Sequence, residues 1–313
     1  MKKIFLTIAG IVLIAIGMLG WILPILPGWL FIFLGISFIA PSFAARLKRR
    51  ILRHFSKKEI VYLEDWRKLK AHAGFTTRHF QLVLHSTDDL SEPSNQAIFE
   101  KLLTEDRVLL SHQVSLGSKF IYLNQVHGDR IAVLDDTAQF KNHGFYRLPE
   151  TDGVLTHRPD LTLLAMTADC LSIFFSAGKQ DRHWVGVVHA GWKGTQKEIA
   201  KHAFRMIQER SQCDPSQIRV FFGPRIGKDQ YEVGREFKQQ FPRAGSSTFI
   251  YKNDKFYFDL AGENRRQLIE AGAKSHHIQD LEICTVSEND DYYSFRKEKD
   301  AVGRMVSYIR KFS

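Results

Sequence analysis

His127, Cys170 and His189 are the residues of this chain best suited to chemistry. Two imidazoles and a thiolate form a natural ligand set for a transition metal, and three protein ligands leave a coordination position open for reaction. Each lies in a short segment at the end of a strand-like run: Asn124-Gln125-Val126-His127-Gly128, Thr167-Ala168-Asp169-Cys170 and His189-Ala190-Gly191-Trp192-Lys193-Gly194. None of the three is at finger-like spacing from another, so spacing alone leaves plainer roles open. His127 then reads as a surface-turn histidine, Cys170 as a buried inert thiol and His189 as a ring packed on Trp192. Asp169 beside Cys170 disfavours a thiolate, which needs a cation, and a metal supplies one outright. The Asp169 carboxylate can orient a ligating imidazole, accept a proton or cap the turn. Without metal, Cys170 as nucleophile and His189 as base form a second candidate chemistry, acyl transfer.

The elements that must position these residues alternate between strands and helices. Apolar or alternating runs at Lys119–Leu123, Arg130–Leu134, Leu161–Met166, Trp184–Val188, Ile218–Phe222, Lys255–Phe258 and Ile278–Ile283 predict strands. After His189, Thr195 with Glu198 reads as a capping box, and Ile199, Ala203, Met206 and Ile207 fall on one helical face. A second helix is expected from Leu260 to Ala271, with Asp259 as N-cap and Gly272 as C-cap. A strand end facing a helix N-terminus places His189 rigidly and offers backbone N–H groups to an anion such as phosphate. This order defines an α/β or α+β domain.

The charge is confined. Of the net +10, nine charges lie in residues 1–58, which carry nine basic and no acidic residues; from Glu59 onward 35 basic residues face 34 acidic ones. A nucleic-acid partner is therefore not expected. Residues 4–45 are almost wholly apolar and are interrupted by Pro24-Ile25-Leu26-Pro27-Gly28, which predicts a transmembrane helical hairpin within residues 1–55. Basic residues on both flanks place both ends, and the catalytic domain, on the cytoplasmic side of a cell membrane. Residues 56–72 read as a linker helix and 73–313 as the catalytic domain. Three cysteines, Cys170, Cys213 and Cys284, fit a reducing compartment without a disulfide framework.

Further segments accompany the three above: Thr151-Asp152-Gly153-Val154-Leu155-Thr156, Gly223-Pro224-Arg225-Ile226-Gly227, Tyr231-Glu232-Val233-Gly234, Phe258-Asp259-Leu260 and Cys284-Thr285. In this order they resemble the polyphenol oxidase or laccase-domain family, also called peptidoglycan editing factors and purine nucleoside phosphorylases, over roughly residues 73–309. The resemblance implies a layered α/β/β/α domain with mixed sheets and a zinc site of His127, Cys170 and His189, zinc being preferred to copper. It implies cleavage of purine nucleosides (adenosine, inosine or methylthioadenosine) by phosphate to base and ribose 1-phosphate, with adenosine deamination as a companion activity. Asp169, Cys170 and His189 are then the catalytic candidates. Arg78, Lys193, Arg225, Arg296 and Arg304 are the candidates for holding phosphate.

Departures fall around the substrate pocket. Gly74-Phe75-Thr76-Thr77-Arg78 runs into His79-Phe80-Gln81-Leu82 instead of a glycine-rich turn; Lys193 stands where an arginine is usual; Leu171-Ser172 replaces a pair ending in proline. Lysine keeps the charge at that position and loses the planar fork. The segment Leu26-Pro27-Gly28-Trp29 resembles small membrane proteins with a Pro-Gly-Pro-Gly-Trp core. A true multicopper oxidase is not expected, because none of the 13 histidines is arranged as His-x-His. The competing reading is a cysteine hydrolase built on Cys170 and His189, acting on peptidoglycan precursors.

Overall fold

The computed structural model describes residues 60–63, 66, 71–80, 119–135, 140, 144–178, 182–245, 247–299 and 303–312. The chain divides after Lys58, and the described residues belong to the unit beginning at Glu59. In chain order its strands are β1 (Ile60–Tyr62), β2 (Ala71–Thr76), β3 (Lys119–Leu123), β4 (Ile131–Leu134), β5 (Gly144–Leu148), β6 (Gly153–Thr156), β7 (Leu161–Thr167), β8 (Leu171–Ala177) and β9 (Trp184–Ala190). Helices α1 (Trp192–Gln196) and α2 (Ile199–Ser211) follow, then β10 (Arg219–Phe222), β11 (Glu232–Val233), β12 (Phe249–Lys252) and β13 (Lys255–Phe258). Helix α3 (Leu260–Glu270), β14 (Ile278–Asp280), α4 (Phe295–Glu298) and β15 (Met305–Lys311) complete the order.

Among the described residues two six-stranded mixed sheets run β1-β2-β15-β7-β3-β5 and β14-β10-β8-β9-β6-β4, with a small sheet β11-β13-β12 beside them. Side chains alternate across a strand, so each strand of the second sheet serves two cores. Val154, Phe174, Val185, Val187 and Phe221 face the first sheet, where they meet Ile121, Leu163, Ala165 and Ile309. Leu155, Ile173, Phe175, Val188 and Phe222 point the other way, onto Ile199, Ala203, Phe204 and Ile207 of α2 and Leu268 of α3. With both faces covered, β8 and β9 are buried throughout, which explains the continuous apolar run of β9; β8, carrying Ser172 and Ser176, was not among the expected strands. Gly186 serves the close contact between neighbouring strands: a Cβ there would lie 2.2 Å from Leu155 Cδ2.

The described residues form sheet, sheet and helical layers, a mixed α/β arrangement. Several expectations are corrected. Within the region read as a linker helix over 56–72, Ile60–Tyr62 is a strand antiparallel to β2, because Ile60, Leu63 and Trp66 are apolar and become buried. Thr195 and Glu198 make no capping box. Gly191 stands at the N-cap of α1, Glu198 adopts φ 59°, and a new helix starts at Ile199. The Thr195 hydroxyl is wholly buried and accepts from Asn264 Nδ2 of α3 at 2.9 Å, so tertiary contact has taken the group a local cap would use. Helix α3 follows expectation: Asp259 Oδ1 accepts from Gly262 N–H at 2.8 Å, and Gly272 follows the helix end with φ +108°.

The placement at a cell membrane is also corrected. Among the described residues no helix is long and apolar enough to cross a membrane. The hairpin expected over residues 1–55 lies outside the described residues.

Candidate metal centre and cavity

The chain crosses from the first sheet to the second three times at one end of the sandwich, from β3 to β4, from β5 to β6 and from β7 to β8, since β3, β5 and β7 run parallel. His127 lies on the first crossing, Asp152 on the second and Cys170 on the third. His189 arrives on β9, where it pairs with Ser172 while Leu171 pairs with Ala190; this register sets Cys170 beside Gly191. The amide of Gln125 fastens the first crossing to the end of β7: it donates to Met166 O at 2.7 Å and accepts from Met166 N–H at 2.8 Å, extending the β3–β7 pairing with a side chain.

Ligand atoms of His127, Cys170 and His189 all lie within 4.8 Å of one another. Cys170 Sγ is 3.8 Å from His127 Nε2, and the two imidazole rings meet edge to face at 4.8 Å between centroids. Among the described residues this is the one such group able to hold a metal.

Asp152 is the residue that builds it. Fully buried, it accepts the Nδ1 proton of His189 at 2.8 Å, leaving Nε2 of that ring to face the cluster. Its carboxylate also accepts three successive backbone N–H groups, from Val126 at 3.2 Å, His127 at 3.0 Å and Gly128 at 2.7 Å. That cradle holds His127 at φ 59°, a left-handed conformation uncommon for a residue with a side chain. Burial works against the Asp152 charge, yet the His189 hydrogen bond and charge, with the backbone donors, lower its pKa. The sequence offered the Asp169 carboxylate for orienting an imidazole; the structure gives that task to Asp152. Asp169, at φ 85°, instead accepts from Thr285 Oγ1 at 2.5 Å and from Arg296 N–H at 2.6 Å.

The donor set fits a borderline-soft transition metal, and the local backbone leaves room for it. A Cβ at Gly191 would lie 2.9 Å from His127 Cδ2 and 3.0 Å from Cys170 Sγ, so glycine there is what lets the ligands converge. In the protein alone, burial raises the Cys170 thiol pKa, but the positive charge of His189 and a hydrogen bond to His127 outweigh it and the thiol is shifted down. His189 moves up: burial opposes its charge, and Cys170 and Asp152 prevail. The cation that Cys170 requires is thus already partly supplied by histidine.

The cluster opens on a cavity of about 430 Å³. Arg296 and Arg304 line it, together with Arg147 and Lys299, which the sequence did not single out, and with Trp192, Tyr231 and Phe295. Burial and the nearby Cys170 raise the Tyr231 phenol, which keeps its proton. The other three phosphate candidates lie elsewhere. Arg78 pairs with Glu298 at 2.8 Å and covers the Tyr293 ring; Arg225 makes a two-pronged pair with Asp280 at 2.6 and 2.8 Å; Lys193 lies over Trp192 at 5.6 Å. None of these three lines the cavity.

A layered α/β fold with a two-histidine, one-cysteine centre at a sheet crossing defines the class, and the chain belongs to the family described as multi-copper polyphenol oxidoreductase laccase, which matches residues 72–311. Purine nucleoside phosphorylase YlmD of Bacillus subtilis (strain 168) is 26% identical over 261 residues, covering 80% of this chain and 93% of that protein. Purine nucleoside phosphorylase YfiH of Escherichia coli (strain K12) is 30% identical over 210 residues, covering 66% and 79% respectively. The crystal structure of YlmD from Geobacillus stearothermophilus aligns with a TM-score of 0.65 at 28% identity, over 78% of this chain and 93% of that one.

Proposed function

We propose that this chain is a zinc-dependent purine nucleoside phosphorylase that cleaves adenosine and related nucleosides with phosphate. The observation that carries the reading is the convergence of His127, Cys170 and His189 on a cavity walled by arginines and aromatic rings. The names of the relatives support the substrate class. A bound zinc would supply a positive centre that polarises the reacting groups and acidifies water. Asp152 keeps His189 in one tautomer and His127 in its strained turn, so the ligands are set before any metal arrives. Arg296 and Arg304 meet the phosphate charge, and Tyr231, which retains its proton, is a donor for the departing base. Adenosine deamination is a second outcome of the same site.

Asp152, His189 and Cys170 also have the connectivity of a Cys-His-Asp nucleophile system, which keeps the cysteine hydrolase as a rival. The full chain is expected to bind about one zinc and to release adenine from adenosine only when phosphate is present. Cys170→Ala should lose both properties. Full phosphate-dependent turnover after removal of metal by a chelator would sink the zinc-dependent mechanism in favour of the thiol; ammonia release measures the deaminase outcome separately.

A further inference from the structure

We infer that Phe295 is the stacking platform for the planar base of the substrate, and that Asp169 is the positioning residue holding that platform against the ligand turn; the inference rests on the phosphorylase reading above. Phe295 is 47% exposed and lines the same cavity as the three ligands. A phenyl ring uncovered inside a concave site offers a flat apolar face and no polar partner, which suits an aromatic heterocycle and not the hydroxyls of a sugar. The cavity's arginines meanwhile provide for the anionic part of the reaction.

The backbone beneath this ring is fixed although the ring itself is bare. Ser294, fully buried, caps α4 by accepting from Lys297 N–H at 3.3 Å. On the other side Arg296 donates its backbone N–H to Asp169 Oδ2 at 2.6 Å, donates from its guanidinium to Glu232 O at 3.0 Å, and lies over the Tyr231 ring at 5.2 Å. The second Asp169 oxygen accepts from Thr285 Oγ1. Because Asp169 immediately precedes Cys170, one carboxylate sets the separation between the ring and the ligand cluster. Anchored on both flanks, Phe295 can receive a base without the ordering cost that a mobile loop would impose.

The test measures adenine binding by calorimetry and adenosine phosphorolysis kinetics on the zinc-loaded full chain. Phe295→Ala should weaken adenine binding and raise KM for adenosine about tenfold, with KM for phosphate unchanged and Phe295→Tyr restoring wild-type values. Asp169→Asn should raise KM for adenosine on the wild-type background and add nothing on the Phe295→Ala background, as expected of a residue acting through the ring. Unchanged adenine affinity in Phe295→Ala, or equal losses toward adenosine and phosphate, would overturn the platform; an additive Asp169→Asn effect would overturn its positioning role. If the wild-type chain failed to turn over adenosine while adenine binding still depended on Phe295, the phosphorylase reading would fall and the platform would stand.

Discussion

Asp152 concentrates the residue-scale chemistry of this protein. One buried carboxylate orients His189, accepts three amides from the His127 turn and so joins two ligands that lie 62 positions apart in the chain. Outer partners of metal ligands commonly govern affinity by one to two orders of magnitude, because they set tautomer and ring orientation. Asp152→Ala is therefore expected to weaken zinc binding roughly 10- to 100-fold, measured by competition with a chromophoric chelator. An unchanged affinity would mean that the cradle positions nothing. Its role was hidden in the sequence because Thr151-Asp152-Gly153 stood only as part of a motif segment, with nothing local to show what the carboxylate meets. Asp169, adjacent to a candidate thiol, drew that role instead, although the fold turns its oxygens toward Thr285 and Arg296.

At the scale of elements, strands β8 and β9 carry the site because both of their faces are covered, one by the first sheet and one by α2 and α3. Gly186 of β9 sits against β6 with no room for a side chain. Gly186→Ala would drive its methyl into Leu155, with Val154 O only 3.0 Å from the same point. We expect a loss of about 1–3 kcal/mol in urea unfolding, the usual cost of overpacking. A smaller loss would show that Leu155 relaxes freely. The apolar runs made β3, β7, β9 and β13 legible in the sequence, since burial on both faces or plain alternation leaves a local mark. Helix α1 was not: Thr195 has the chemistry of a cap, and only Asn264, distant in sequence, diverts its hydroxyl.

At the scale of the unit that begins at Glu59, an ionic cluster ties the β6–β7 turn to β3. Asp160, at the turn between β6 and β7, receives Arg158 through Nε at 2.9 Å and Nη2 at 2.6 Å, and Lys119 of β3 at 3.0 Å. Burial opposes its charge, but these cations hold its carboxyl down to about 2 against an ordinary 3.8. The stabilisation it contributes is thus complete above the ordinary value and is lost as pH falls through about 2. Asp160→Asn should be less stable than the parent at pH 7, by under about 1 kcal/mol given partial exposure. The difference should close toward pH 2 in thermal melts; a pH-independent difference would refute the ionic account. The sequence by itself determined the alternating α/β character, the confinement of excess charge to residues 1–58 and, through residue type and motif order, the ligand candidates His127, Cys170 and His189. Those features are local, written in periodicity, composition and side-chain chemistry. Tertiary structure alone decided that the three meet within 4.8 Å, that Asp152 and not Asp169 orients them, and that Arg296 and Arg304 face the cavity while Arg78 and Arg225 are spent in ion pairs. The reason is physical: convergence and partner choice depend on how two sheets are joined and in what register, which no single stretch of chain encodes.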